Sequence, residues 1–575
     1  MFRLFRFLRP YRMYVILGVI LIFLQSLASL YLPDLMSNIV DIGVQGNNVP
    51  YIMKVGAFML VVALIGVACS VASSYYTSKA AAGFGKLLRR DIFTQVENFT
   101  LHEFDTVGTS SLIVRTNNDV LQVQQFVNMA LRMMVMAPLT AIGGIIMAVY
   151  TDARLSLIIV VAMPILGLAI YSILGRGMGL FRVVQSKVDV LNRVLREHLT
   201  GIRVIRAFDR SDYEIDRFDK ANLDLTDTSV RVYQIMAGLM PIMMLVINLS
   251  TLAIVWFGAG LINQGQMQIG NMMAFIQYVM QIMFSMMMAS MMSFMIPRAQ
   301  ASSARINEVL DLRPEICDPE QPTVPPSEHG YVEFRDVTFH YPGAEEPAVS
   351  HISFVAKPGE VTAIIGGTGA GKSTLVNLIP RFYDVAAGAI LVDGVDIREL
   401  SQKDLRAKIG LVPQKAVLFN GTIADNLRYG RADATDEEMQ WAVSVAQASD
   451  FIAEMKEGMS SVLAQGGANV SGGQKQRLSI ARALVRRPEI YLFDDSFSAL
   501  DYKTDAKLRA ALKTEITNAT VLLVAQRVST VMDADRIVVL DEGRAVGVGT
   551  HRELLETCAV YREIVASQLS EEEIA

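Results

Sequence analysis

The stretch GGTGAGKST, residues 366–374, decides the fold of the second half of this chain. Gly366, four further residues, then Gly371, Lys372 and Ser373 fit the pattern G-x-x-x-x-G-K-[ST]. Thr368, Gly369 and Thr374 complete the run. It follows the apolar segment VTAIIG and opens into STLVNLI, so a buried strand turns through a glycine-rich loop into a helix. Glycines let backbone amides close around phosphates at the positive end of a helix. Lys372 is then placed to reach the β- and γ-phosphates, and Ser373 to ligate a magnesium ion. ATP and Mg2+ are the ligands that this pattern predicts.

Further along, IYLFDD (490–495) reads as a second buried strand, ending in two acids. Asp494 suits the magnesium ion that Ser373 would share. Asp495 stands where a nucleotide-hydrolysing enzyme keeps its general base. Strand-like and helical runs alternate from Gly330 onward, which predicts an α/β domain over 330–575. The proline- and acid-rich RPEICDPEQPTVPPSEHG marks a boundary, with a linker expected at 301–329.

Residues 1–300 have a different character. Of the 575 residues 52% are hydrophobic and 19% charged, and the apolar excess lies mainly in this first half. A spanning helix needs about 20 mostly apolar residues. Six segments qualify, near 14–32, 55–76, 129–150, 155–175, 237–262 and 270–296. The only arginine within them is Arg132, near one end of the third. The first span is not a signal peptide, since no small-residue cleavage site follows it and more spans do.

Loop charges orient the spans. The opening MFRLFRFLRPYR carries four arginines, SKAAAGFGKLLRR follows span two and IPRAQASSAR follows span six. The segment from Pro33 to Pro50 has no Lys or Arg. The positive-inside pattern places both termini in the cytoplasm, with Arg154 in the turn TDAR as the exception. The arginine-rich start reads as an interfacial amphipathic helix, because it lacks the serines of a transit peptide. Residues 77–128 and 176–236 are long inside connections rich in helix formers. Folded as hairpins at about 1.5 Å per residue, each carries its spans about 35 Å into the cytoplasm.

Span six holds ten methionines between Met272 and Met295, with Gln277, Gln281 and Ser285 at every fourth position. Polar side chains in a membrane face protein or a water-filled cavity, so this stripe predicts a cavity wall for a small amphipathic substrate. Asp41 and Asp152 are weighed as outer-gate residues against ordinary solvated or capping roles. A net charge of −5 without a basic patch gives no case for nucleic acid. Cys69, Cys317 and Cys558 are too few and too scattered for a disulfide framework or a metal cluster, which fits a reducing compartment.

Between the two strands stands VSGGQKQRLSIARAL, residues 470–484. Here the chain resembles a subunit of an ATP-binding-cassette (ABC) transporter, of the exporter-type half-transporter layout. The likeness covers essentially the whole length: a membrane domain of six transmembrane helices with long cytoplasmic extensions, then an α/β P-loop ATPase domain of ABC type. By that resemblance Ser471, Gly472, Gly473 and Gln474 are the signature that completes the ATP site of a second half-transporter. Tyr341 in FHYPG would stack on adenine, Gln414 in LVPQK would serve the metal and the catalytic centre, and Ser498 to Asp501 would form the D-loop. A head-to-tail pair of cassettes in a lipid bilayer is implied, in a bacterial inner (cytoplasmic) membrane.

Two positions depart from the family's hydrolytic pattern. Asp495 replaces a glutamate, and Gln526 in LLVAQRVST replaces a histidine. An aspartate ends about one C–C bond, roughly 1.5 Å, short of a glutamate. Misplacement of about 1 Å can cost about 100-fold in rate. Glutamine cannot carry a proton or a positive charge as histidine does. The chain thus resembles the degenerate-site subunit of a bacterial heterodimeric multidrug exporter, with an intact signature serving its partner. Export of a lipid or peptide, siderophore uptake, and a membrane-bound ATP sensor are the competing expectations. Gln465 before the signature replaces a charged residue of the family pattern, and FDTVGTSSLIVR and RAFDRSDYEIDRF are the expected coupling segments.

Overall fold

A computed structural model describes residues 1–292, 295–324 and 329–569. The chain divides into two compact units, Met1–Glu97 with Thr109–Leu312, and Asn98–Gly108 with Arg313–Ala575.

The first unit carries 6 helices long and apolar enough to cross a membrane. Several run on well past the apolar cores expected from sequence. Val49–Glu97 is one helix of 49 residues and Leu157–Ala207 one of 51. At about 1.5 Å per residue each exceeds 70 Å, so the long connections are continuations of the spans themselves. Large apolar side chains such as Leu60, Leu64 and Leu168 lie on the outside, as a surface meant for lipid requires. Ile22, Ile254, Phe275 and Ile282 form the buried interior.

The N-terminal turn Phe2–Tyr11 is amphipathic as expected, but its apolar face is occupied by protein. Leu4 and Phe7 are buried, and Phe7 meets Phe84 edge-on with ring centroids 6.4 Å apart. Arg3 makes a forked pair with Asp311, at 2.7 and 2.8 Å, at the far end of the last helix of the unit. That helix, Met295–Asp311, runs through the expected start of the linker at 301. Ala299, Ser302, Ser303, Ile306 and Val309 are buried at helical spacing, and no proline interrupts them before Pro314.

The methionine-rich helix Ile269–Met292 corrects one expectation. Its glutamine and serine positions do not share one environment. Gln277 is exposed, whereas Gln281 is half-buried and donates to the Ser29 carbonyl at 3.3 Å. Ser285 is buried and bonded to its own helix at Ile282 O, 2.7 Å. A four-residue repeat drifts about 40° per step around an α-helix, enough to carry the row from the surface into the packed interior.

Both weighed aspartates are caps. Asp152 Oδ1 accepts from the backbone N–H groups of Arg154 and Leu155 at 2.8 and 3.0 Å. Asp41 is buried, and its Oδ1 accepts from the Gly270 N–H at 2.6 Å, at the first turn of Ile269–Met292. A Cβ on residue 270 would come 2.4 Å from the Ser37 carbonyl, so glycine permits this approach.

The second unit is built on two sheets. In the larger, the spatial order is Arg544–Gly549, Arg536–Asp541, Val361–Gly366, Thr520–Val524, Ile490–Asp494 and Ile409–Val412. Its last four pairings are parallel and its first antiparallel. The central strands are buried on both faces, which is why they read as unbroken apolar runs. A smaller antiparallel sheet orders Val349–Ala356, Val332–Phe339, Ala387–Val392 and Val395–Asp396. The segment Asn98–Gly108, from the first long connection, belongs to this unit. Its helix Leu101–Val107 has a Thr100–Glu103 capping box, and Glu103 also accepts from the Glu315 N–H at 2.9 Å.

Candidate functional site

The functional residues gather where the parallel strands end. Strand Val361–Gly366 delivers the phosphate loop to helix Lys372–Leu378. Gly371 has φ +92, and a Cβ there would lie 2.5 Å from Val349 Cγ1 and 2.7 Å from the Ala348 carbonyl. Only glycine fits that conformation and that space. The residues present therefore suit a nucleotide phosphate: a loop of small residues, a helix start and a lysine. Lys372 Nζ donates into this loop, to Gly366 O at 3.0 Å and Gly367 O at 2.6 Å. Burial holds its pKa below the ordinary lysine value, opposed by Asp495 and Asp494.

Strand Ile490–Asp494 ends two strands away in the same sheet, and so brings its acids to the loop. Ser373 Oγ donates to Asp494 Oδ1 at 2.8 Å, a hydroxyl and a carboxylate of the kind that hold Mg2+. Burial raises the Asp494 pKa, reinforced by the neighbouring Asp495 charge and opposed by Ser373 and Lys372. A buried carboxylate with a raised pKa stands to gain from a divalent cation. Bound there, the cation would shield phosphate charge; Ser373 and Asp494 are the residues to hold it.

Asp495 is engaged differently. Its φ is +45, a left-handed conformation uncommon outside glycine but tolerated by aspartate. Its Oδ2 accepts from Gln526 Nε2 at 2.9 Å and, more weakly, from Gln414 Nε2 at 3.4 Å. The three departing or neighbouring residues singled out in the sequence thus meet at one oxygen. Gln526 is anchored in turn, its carbonyl accepting from Gln568 Nε2 at 2.8 Å.

Tyr341 Oη lies 3.0 Å from Thr374 Oγ1, and its ring packs edge-on against Phe339 and Tyr383. The ring is thereby fixed beside the phosphate loop and remains partly exposed. Ser471 caps the helix Gly472–Arg486 by a reciprocal box with Gln474, at 2.8 and 3.3 Å. Nothing lies within 4 Å of a Cβ placed on Gly472, whereas Gly473 backs onto the Ala499 carbonyl. The signature therefore presents a helix N-terminus that is capped by Ser471 yet unobstructed at Gly472, fit for an anion. Asp501 caps Tyr502–Glu515, and its pKa is lowered by the Thr504 hydroxyl donating to it at 2.7 Å and by the Thr504 N–H at 2.9 Å.

Gln476 escaped the sequence reading. It is buried, and its Nε2 donates to the Gln414 carbonyl at 2.8 Å, tying the signature helix to the Gln414 loop. The signal was present: Gln476 shares a helix face with the buried Ile480, Ala483 and Leu484, a polar residue in an apolar stripe.

Comparison with known proteins agrees with this geometry. A family model of the ABC transporter transmembrane region matches residues 15–286, and one described as ABC transporter matches 349–498. The chain is 45% identical over 565 residues, 98% of its length and 97% of the relative's, to a protein described as an uncharacterized ABC transporter ATP-binding protein in Mycobacterium tuberculosis. It is 32% identical over 574 residues, 99% of its length and 97% of the relative's, to the ATP-dependent lipid A-core flippase of Hahella chejuensis. A solved bacterial Atm1-family ABC exporter with ATP bound superposes with a TM-score of 0.81 at 26% identity, covering 97% of this chain and 99% of that one. Six membrane-crossing helices, one cassette and these matches along the whole length lead to one conclusion: the chain belongs to the ABC transporter family, as an exporter-type half-transporter with an ATPase domain.

Proposed function

We propose that this chain is one half of a heterodimeric exporter of amphipathic compounds in a bacterial cytoplasmic membrane, with both termini cytoplasmic. Its own ATP site binds nucleotide through Tyr341, the phosphate loop, Ser373 and Asp494, and hydrolyses it poorly. Its signature, Ser471 to Gln474, completes the productive site of a partner that carries a glutamate and a histidine at the two departing positions. The observation that carries this reading is the Asp495 carboxylate. It is one methylene short, and one of its oxygens is already held by the side-chain amides of Gln526 and Gln414. Such amides donate hydrogen bonds but take up no proton, so the trio orients a nucleotide better than it activates water.

The division of labour is tested in the reconstituted pair. Ser471→Arg in this chain should abolish ATP turnover, because the partner's site loses its signature. Asp495→Asn should leave turnover nearly unchanged. Loss of turnover in Asp495→Asn would overturn the proposal. ATP-driven dye movement across vesicles, lost when Lys372 and the partner's corresponding lysine are replaced, separates transport from nucleotide sensing.

A further inference from the structure

The first unit contains an open cleft of about 600 Å³ that the ATP chemistry does not use. Ser70, Ser74 and Ser78 line it at successive four-residue steps of helix Val49–Glu97, with Tyr75 and Lys79 beside them. Arg132 closes it from Ala130–Met134, a stretch where the helix widens to i→i+5 bonding. Lys79 Nζ sits 4.9 Å from the ring centroid of Tyr14 and 5.4 Å from that of Tyr75, and donates to Tyr75 Oη at 3.4 Å. The aromatic faces hold the ammonium without neutralising it.

Two cations thus share one cleft where the apolar cores 55–76 and 129–150 of two long helices end. Among the described residues neither Lys79 nor Arg132 forms an ion pair, and no carboxylate lines the cleft. Arg132 lies within the apolar core of its span, where an unpaired charge is expensive and is retained where a ligand or pathway uses it, and Lys79 stands just beyond the apolar core of span two. The donors are abundant: guanidinium, ammonium and three serine hydroxyls, which an anion's oxygens can accept from. Val71, largely exposed, and the Tyr75 ring offer an apolar flank beside them. A cationic drug would be repelled here.

We propose that this cleft binds the anionic head, a phosphate, sulfate or carboxylate, of an amphiphile whose tail lies along the apolar helix faces. The inference rests on the transport reading above and narrows its substrate class. Arg132 supplies the forked contact to two oxygens and Lys79 the point charge.

The test uses the full chain in phosphatidylcholine nanodiscs with dodecyl phosphate, dodecyltrimethylammonium and inorganic phosphate as probes. Dodecyl phosphate should bind at least about tenfold more tightly than either of the others, and Lys79→Gln or Arg132→Gln should each weaken it about tenfold. Lys79→Arg should retain binding, and all variants should bind a fluorescent ATP analogue as the unmodified chain does. Equal binding of the two dodecyl probes, equal binding of inorganic phosphate, or indifference of the double Gln variant would overturn the assignment. Displacement of dodecyl phosphate by phosphatidylglycerol in the nanodisc assigns the head to a bilayer lipid; retention assigns it to a solute, and both uphold the anion site. Lys372-dependent dye movement without head-group preference sinks this inference and leaves transport standing.

Discussion

Replacing Asp41 with alanine should loosen the start of helix Ile269–Met292 from a position 229 residues away in the chain. Asp41 Oδ1 accepts the Gly270 N–H at 2.6 Å, one of the first-turn donors that no helix can satisfy internally. Its Oδ2 lies 3.2 Å from Ser37 Oγ, whose single proton is shared with Asn271 Oδ1 at 2.9 Å. Ser37 can therefore compensate little, because its oxygen is near the wrong groups. Leaving a buried N–H without an acceptor costs about 1–3 kcal/mol. That corresponds to about 5–150-fold in the local opening equilibrium, at tenfold per 1.4 kcal/mol. Hydrogen exchange followed by mass spectrometry, on peptides covering residues 266–275, reads this directly. Asp41→Asn keeps an acceptor oxygen and should fall between the two. Unchanged exchange in Asp41→Ala would refute the cap, and with it the idea that this aspartate pins two spans together.

In the cassette, Gly371→Ala should weaken binding of a fluorescent ATP analogue by at least about tenfold, since a left-handed alanine costs about 1–2 kcal/mol before its clash with Val349 is counted. Ser373→Ala should leave the metal-free affinity nearly intact while removing the gain that Mg2+ gives, which titrations with and without a chelator compare. Asp494→Asn should raise the thermal midpoint of the nucleotide-free chain at neutral pH. The sign follows from the raised pKa of Asp494 in the folded state: its contribution is favourable below the usual carboxylate range and lost as pH rises through the raised value. The difference between variant and unmodified chain should therefore shrink as pH is lowered toward that range, and a difference that grows would contradict it. Gln476→Leu should disturb Gln414 through its lost 2.8 Å bond, weakening Mg2+-dependent binding more than metal-free binding.

The cassette was readable because its chemistry is local. A phosphate loop needs glycines, a lysine and a hydroxyl within a few residues, and its flanking strands are apolar because both faces are buried. Asp494 and Ser373 lie 121 residues apart, yet each belongs to a motif that fixes its place on the same sheet edge. The membrane unit was readable in outline, since span length is set by the bilayer, but not in its pairings. Nothing near Asp41 in sequence says that it meets Gly270, and the stripe through Gln277, Gln281 and Ser285 was undone by helical drift. Lys79 and Arg132 look like unrelated span-end charges until two helices bring them to one cleft. The linker was misplaced by composition: prolines at 314 and beyond were conspicuous, while the buried helix face through Val309 before them was not.

The most direct measurement is ATP turnover by this chain purified alone in nanodiscs, beside the same chain carrying Asp495→Glu and Gln526→His. The account predicts near-zero turnover that rises in the double variant, because a longer carboxylate and a proton-carrying ring replace an oxygen held by two amides. Brisk turnover by the unmodified chain would contradict it, and would make a working homodimer the better description.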